Sequence, residues 1–336
     1  MQMDMADASS SSLEEEFRLA QRSSYLRIDL EAVLHNVRVL RSLCSSHTEV
    51  MAVLKANATG HGSVAIATHL VNNGIKHFAV ATAAEGRDLR EAGIQVYIQV
   101  FGTSHEDVDI LQKFQLTPTV STPAFLRLWA TKHRNANLTV PPVVIKIDTG
   151  MSRHGCQPEE LQQMMKTSEE LGIPVHSLMT HFAVAWEDAE VTQCQLDLFL
   201  DTVRPYREQG VKVHVANAPA IIRGFGADLD FVRPGISIYG LPPGDELPVV
   251  GRVSMDAITV KMDASFTDLS SAFYVYSDVI SHPNSVTNIA RALGTIPQEV
   301  CSRLSARLPR VYVTGGRHHV PGLRNGHLRH SDQRSW

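Results

Sequence analysis

Five short segments of this chain carry side chains able to do chemistry, and each follows an apolar run. Lys55 stands in Ala52-Val53-Leu54-Lys55-Ala56-Asn57-Ala58-Thr59-Gly60-His61-Gly62. A lysine held against an apolar interior loses solvation, so its pKa falls and its amine becomes a nucleophile. Imine chemistry with an aldehyde cofactor needs such an amine. Gly60 and Gly62 permit a sharp turn after it. The second segment runs from Lys146 to Gly155. Lys146 lies within an apolar run, where a bare ammonium is costly without a partner. Arg153 offers a planar fork suited to a carboxylate. Thr180-His181-Phe182 and Ala216-Asn217-Ala218 are the third and fourth segments. The fifth is Arg233-Pro234-Gly235-Ile236, where the amides of Gly235 and Ile236 suit a phosphate. Each segment alone is ordinary. Together they require a fold that brings their ends to one rim.

The intervening residues predict that fold. Short β-prone runs occur at 49–53, 77–81, 95–99, 117–120, 143–147, 175–179, 211–215 and 229–232. Helical spacing fills the gaps near 63–73, 83–92, 105–114, 122–133, 158–171, 191–208 and 218–223. Eight such units close naturally into a (β/α)8 barrel, whose site lies at the strand C-termini. An open doubly wound sheet is the alternative, but no GxGxxG follows the first run. The expected class is therefore α/β, with an N-terminal TIM-type barrel over 24–240. Order is expected to begin at Tyr25-Leu26-Arg27-Ile28, and Leu30, Val33, Leu34, Val37 and Leu40 give the next helix an apolar face. After the breaker cluster Leu241-Pro242-Pro243-Gly244, residues 241–313 read as a shortened β-rich C-terminal domain. Helical spacing returns over 284–307, and Val311-Tyr312-Val313 reads as a strand. Residues 1–23 are expected to be a disordered lead and 314–336 a basic tail.

The chain has 336 residues and a formal net charge of −4. That length fits two domains, or a barrel with a modest appendage. With 43% hydrophobic and 20% charged residues, it is neither largely disordered nor fibrous. The near-neutral balance predicts no broad surface for nucleic acid or an anionic membrane. No apolar run approaches the ~18 residues that cross a bilayer. The lead is Ser-rich and acidic with no apolar core, unlike a secretory or transit signal. Cys44, Cys156, Cys194 and Cys301 form no CxxC pair, so reduced thiols and a cytoplasmic setting are expected. His105-Glu106-Asp107 reads as a solvated helix start, and no metal site is expected.

In this order the segments resemble the alanine racemase family, pyridoxal-phosphate enzymes with a barrel and a β-rich C-terminal domain. The resemblance runs from about Tyr25 to Tyr312, through AVLKANATGHG (52–62), KIDTGMSRHG (146–155), THF (180–182), HVANAPA (214–220), VRPGISIYG (232–240), VGRVSMD (250–256) and GTIPQEV (294–300). It implies an internal aldimine on Lys55, which also acts as one catalytic base. It implies a carbamylated Lys146 paired with Arg153, and Arg153 on the substrate carboxylate side. His181 would lie over the cofactor ring and hydrogen-bond Arg233, which would face the ring nitrogen. Thr59, Asn217, Gly235 and Ile236 would join the cofactor site. Met255 and Asp256 would reach the neighbouring subunit's site, so a homodimer acting on alanine is expected.

The chain also departs from that family. Its second catalytic base is a tyrosine in a long segment ahead of VGRVSMD. Here only Leu241 to Val249 separate VRPGISIYG from that block. Thr59 and Gln298 replace tyrosines, and Ala218 replaces a serine. The leading expectation is alanine racemase activity. The alternative is a pyridoxal-phosphate protein limited to one-base α-proton exchange.

Overall fold

The computed structural model describes residues 26–239, 285–304, 308–314 and 317–319. The chain divides into two compact units, one of Ala32–Gly240 and one joining Met1–Glu31 to Leu241–Trp336.

In the first unit, short runs of consecutive apolar residues become strands buried on both faces, as parallel sheets require. They are β2 (Glu49–Val53), β3 (His77–Val80), β4 (Tyr97–Val100), β5 (Thr117–Val120), β6 (Val143–Lys146), β7 (Val175–Met179), β8 (Lys212–His214) and β9 (Phe231–Val232). The sheet order is β8-β7-β6-β5-β4-β3-β2-β9, with all neighbours parallel. Its two ends meet. The Asp230 N–H donates to Val213 O at 3.1 Å and the Arg233 N–H to Ala216 O at 2.9 Å. Asn217 and Arg233 form a parallel bridge there. The barrel predicted from the eight runs is therefore the observed architecture.

Side-chain caps fix where each chain path leaves the rim and enters a helix. Thr82 caps the helix Ala83–Glu91, Thr122 caps Pro123–Asn135, Asp188 caps Ala189–Arg207 and Asn217 caps Ala218–Arg223. Each cap satisfies an amide that the first helical turn leaves without a partner, worth about 1 kcal/mol.

The barrel floor is aromatic and titratable. Val143 pairs with Val175 but Val144 pairs with Ser177, so His176 is the extra residue of a β-bulge. A bulge re-aims side chains. His176 stacks on Tyr97 at 4.5 Å between ring centroids and on Phe231 at 5.7 Å. Burial, then the charges of Lys212 and His77, lower its pKa to about 4. An unfolded histidine takes a proton near pH 6.5, whereas this one resists until about pH 4. The stabilisation is thus full above about pH 6.5 and is lost as pH falls toward 4. His176→Phe keeps the stack and removes the proton. Its melting temperature is expected to fall less than the wild type's between about pH 7 and pH 4.5. Equal acid sensitivity in thermal melts of the two proteins would place the titration elsewhere.

The second unit holds a three-stranded sheet. β1 (Leu26–Asp29) pairs parallel with β10 (Arg310–Thr314), which pairs antiparallel with β11 (Arg317–His319). The sequence groups Leu26–Asp29 with the barrel; its hydrogen bonds go instead to β10. The helices Val286–Ala292 and Pro297–Ser302 bury Val286, Ala290, Val300 and Cys301 against one another. Most of the stretch read as a β-rich domain, 241–284, lies outside the described residues, as does Met255. No helix among the described residues is long and apolar enough to cross a membrane.

Candidate active site

Lys55 sits just beyond β2, where the chain does something unusual. Ala56, Asn57, Ala58 and Thr59 all have positive φ, between 52° and 54°. A left-handed residue with a Cβ costs roughly 1–2 kcal/mol, so four in a row need external support. Asn57 Oδ1 accepts from the Ser63 N–H at 2.8 Å. The Gly60 N–H donates to Ala56 O at 2.9 Å and the Gly62 N–H to Asn57 O at 2.9 Å. His61 stacks on Tyr239 at 4.9 Å, and the Tyr239 hydroxyl donates to Val53 O at 2.7 Å. The Lys55 side chain is accessible at the rim. Desolvation by surrounding protein and the charge of Arg153 lower its pKa, and Glu85 partly offsets them.

Lys146 ends β6 and is only 7% exposed. Burial and the charges of Arg153 and Arg233 bring its pKa to about 8, against a smaller upward pull from Asp148. A pKa of about 8 leaves roughly a tenth of the amine neutral at pH 7, far more than for an ordinary lysine. It borders a cavity of about 220 Å³ shared with Thr103, Ser121 and His154. The loop that follows folds back on itself. The Asp148 N–H donates to Cys156 O at 2.8 Å and the Cys156 N–H to Lys146 O at 2.9 Å. Burial would raise the Asp148 pKa, but amides from Ser152, Gly150 and Met151 and the charge of Lys146 lower it overall.

Arg233 is deeper than a rim residue, at 3% exposure. It donates to Thr180 O at 2.7 Å and Val215 O at 2.9 Å, and contacts His181 Nδ1 at 3.4 Å. Its other terminal nitrogen lies 2.6 Å from His214 Nδ1. Arginine only donates, so His214 Nδ1 must accept and its proton sits on Nε2. That Nε2–H donates to Ser177 Oγ at 3.0 Å. Ser177 Oγ also lies 3.2 Å from His176 Nδ1, on the barrel floor. Burial lowers the pKa of Arg233, and burial with the charge of Arg233 lowers His214 well below the ordinary histidine range.

His181 shows how the strand ends converge. Burial lowers its pKa, and so do the charges of Arg233 after β9, Arg153 and Lys146 at the end of β6, and Lys55 after β2. Four cations therefore act on one neutral imidazole. Gly235 lies beside β2: the Val53 N–H donates to Pro234 O at 3.0 Å. Among the described residues, the amides of Gly235 and Ile236 donate to no protein acceptor. Thr59 is buried at the end of the left-handed turn. Asn217 Oδ1 accepts from the Ala220 N–H, leaving its side-chain amide group for another partner. Sequence reasoning missed Ser177, Asp148 and Glu85. Only Glu85 carried a local signal, the Thr-x-x-Glu spacing of a capping box.

A family model described as the alanine racemase N-terminal domain matches residues 28–243, and one for the C-terminal domain matches 236–312. The chain belongs to the alanine racemase family. It is 39% identical over 235 residues to an alanine racemase of Halothermothrix orenii, a match covering 67% of this chain and 61% of that protein. It is 27% identical over 373 residues to alanine racemase 1 of Caldanaerobacter subterraneus subsp. tengcongensis, covering 88% of this chain and 96% of that one. This second alignment is longer than the 336-residue chain, so stretches of the relative have no counterpart here. An alanine racemase from Clostridium difficile 630, solved in complex with cycloserine, superposes with a TM-score of 0.79 at 27% identity, covering 88% of this chain and 97% of that structure.

Proposed function

We propose that this chain interconverts L- and D-alanine using pyridoxal phosphate held covalently by Lys55. The carrying observation is the convergence of Lys55, Lys146, Arg153 and Arg233 on His181 at the barrel's C-terminal rim. The residues fit the cofactor. A rim lysine of lowered pKa suits its aldehyde, and the unused amides of Gly235 and Ile236 suit its phosphate. Asn217 and Thr59 would border that phosphate end. When bound, pyridoxal phosphate supplies an electron sink that acidifies the substrate α-carbon.

The chain's own residues do the rest. The Lys55 amine removes and returns the α-proton at one face. Arg153 offers its guanidinium to the substrate carboxylate. Lys146, once carbamylated, carries a negative charge that turns Arg153 toward it. Its partly neutral amine and the adjoining cavity support that reading. His181 would lie on the ring side and steady Arg233, whose guanidinium would donate to a ring nitrogen without giving up its proton and so would limit charge delocalisation and side reactions. Met255 is assigned to a partner subunit's site, which makes a homodimer the active unit.

The second base is the open element of this reading. The short Leu241–Val249 connection supports its loss from this chain. Separate incubation of L- and D-alanine in deuterated water distinguishes the outcomes. Appearance of the opposite enantiomer supports racemisation. Deuterium at the α-carbon with retained configuration supports one-base exchange. Borohydride reduction followed by peptide mass spectrometry is expected to place the cofactor on Lys55. Exchange with retained configuration alone would overturn the interconversion, and the absence of both exchange and a modified Lys55 would sink the whole proposal.

A further inference from the structure

Glu85 has no part in the roles assigned above. Its two carboxylate oxygens are divided between two strand ends. Oε1 accepts from the Ala56 N–H at 2.7 Å. Oε2 accepts from the Ala81 N–H at 2.8 Å and the Thr82 N–H at 3.2 Å. Ala56 follows Lys55 and opens the left-handed turn, while Ala81 and Thr82 follow β3. β2 and β3 are hydrogen-bonded neighbours. One side chain thus ties the tip of β2 to the tip of β3. Its own backbone is fixed in turn, since the Glu85 N–H donates to Thr82 Oγ1 at 3.3 Å.

We infer that Glu85 is a positioning residue, holding the left-handed turn so that the Lys55 amine is fixed over the barrel mouth. The inference rests on the reading of Lys55 as the cofactor lysine. Alanine prefers the right-handed region, so Ala56 and Ala58 do not select this turn by themselves. An acceptor on the Ala56 amide, fixed from outside the turn, is what the geometry adds. A carboxylate is required. It offers two acceptor oxygens, whereas a glutamine offers one and would set its NH₂ against a backbone N–H at one end. The same carboxylate also opposes the lowering of the Lys55 pKa.

The test uses the full chain with Glu85→Gln and, as a control, Thr82→Ala. Thr82→Ala removes the cap but leaves both Glu85 oxygens in place. Hydrogen exchange at the Ala56 amide is measured without cofactor, and the dissociation constant of pyridoxal phosphate is measured separately. Glu85→Gln is expected to accelerate Ala56 exchange and weaken cofactor retention by at least about tenfold, the loss of a charge-assisted hydrogen bond. Thr82→Ala is expected to keep both within about twofold of wild type, even where it melts earlier. Wild-type exchange and retention in Glu85→Gln would overturn the inference. So would equal losses in both variants, which would mark a general effect on stability. If Glu85→Gln does not fold, Glu85→Asp, one methylene too short to bridge the two strand ends, carries the same expectations. A wild-type chain that holds no cofactor at Lys55 would defeat the proposed function, while Ala56 exchange would still decide the tether.

Discussion

Replacing Lys55 by alanine is expected to leave the melting temperature of the cofactor-free chain nearly unchanged and to remove turnover. The two effects separate because of where the residue sits. Its side chain is accessible at the rim and makes no hydrogen bond among the described residues. Surface substitutions of that kind change stability by about 0.5 kcal/mol or less. In the proposed function, chemistry depends on the same amine twice, as the point of covalent attachment and as the base for one face of the α-carbon. Losing a positioned base alone costs about 10²–10⁴-fold in rate. Lys55→Arg separates charge from nucleophilicity, because a guanidinium keeps the cation but stays protonated. Both variants are expected to lose the cofactor on dialysis and to show an α-proton exchange rate at least about 10²-fold lower. Wild-type cofactor content after dialysis in either variant would remove Lys55 from its assigned role.

Gly155→Ala is expected to be the most destabilising small substitution in the loop between Lys146 and Cys156. Gly155 has φ of +138°, and a Cβ there would lie 2.5 Å from Asp148 N and 2.7 Å from Ile147 C. Those atoms are backbone, and the Ile147–Cys156 bridge pins them. Neither strand can yield without breaking the hydrogen bonds that close the loop carrying Asp148 and Arg153. The cost is about 3 kcal/mol or more, a drop of roughly 6–12 °C in melting temperature for a unit of this size. Gly74→Ala is the control. Its φ is +88°, but nothing lies within 4 Å of the added carbon. Only backbone strain remains there, about 1 kcal/mol. Similar shifts for both substitutions in calorimetry would mean that the close approach at Gly155 carries no weight.

Much of the barrel is legible in the residues because its strands are short, apolar and regularly spaced. The runs at 49–53, 117–120 and 175–179 coincide with β2, β5 and β7 to the residue. The residues that end those runs fall on the rim for the same reason, since strand ends and loop beginnings are one event in the chain. The illegible parts depend on partners remote in sequence. Leu26–Asp29 reads as a strand, but nothing local says that Arg310–Thr314 completes it. Val175-His176-Ser177 reads as regular alternation, and the bulge that turns His176 inward appears only against Val143 and Val144. Thr82-x-x-Glu85 announces a helix start, yet the reach to Ala56 depends on β2 and β3 being neighbours. Arg233 reads as a rim residue. Its burial follows from the carbonyls of Thr180 and Val215, which the closing of the ring brings around it.

The cluster of cations around His181 has a kinetic consequence. A concave rim with one sign of charge concentrates counter-ions before any contact forms, and clefts of this kind raise encounter rates by about 10–10³-fold. Lys55, Arg153 and Arg233, joined by Lys146 until it is carbamylated, act from three strand ends on a chain whose net charge is −4. A phosphorylated aldehyde diffusing past meets a surface that repels it on average and one opening that attracts it. Added electrolyte shortens the reach of that attraction to about 8 Å at physiological ionic strength. Under the proposed function, capture of the cofactor is thereby coupled to the salt of the medium, through charges whose later task is to hold and orient.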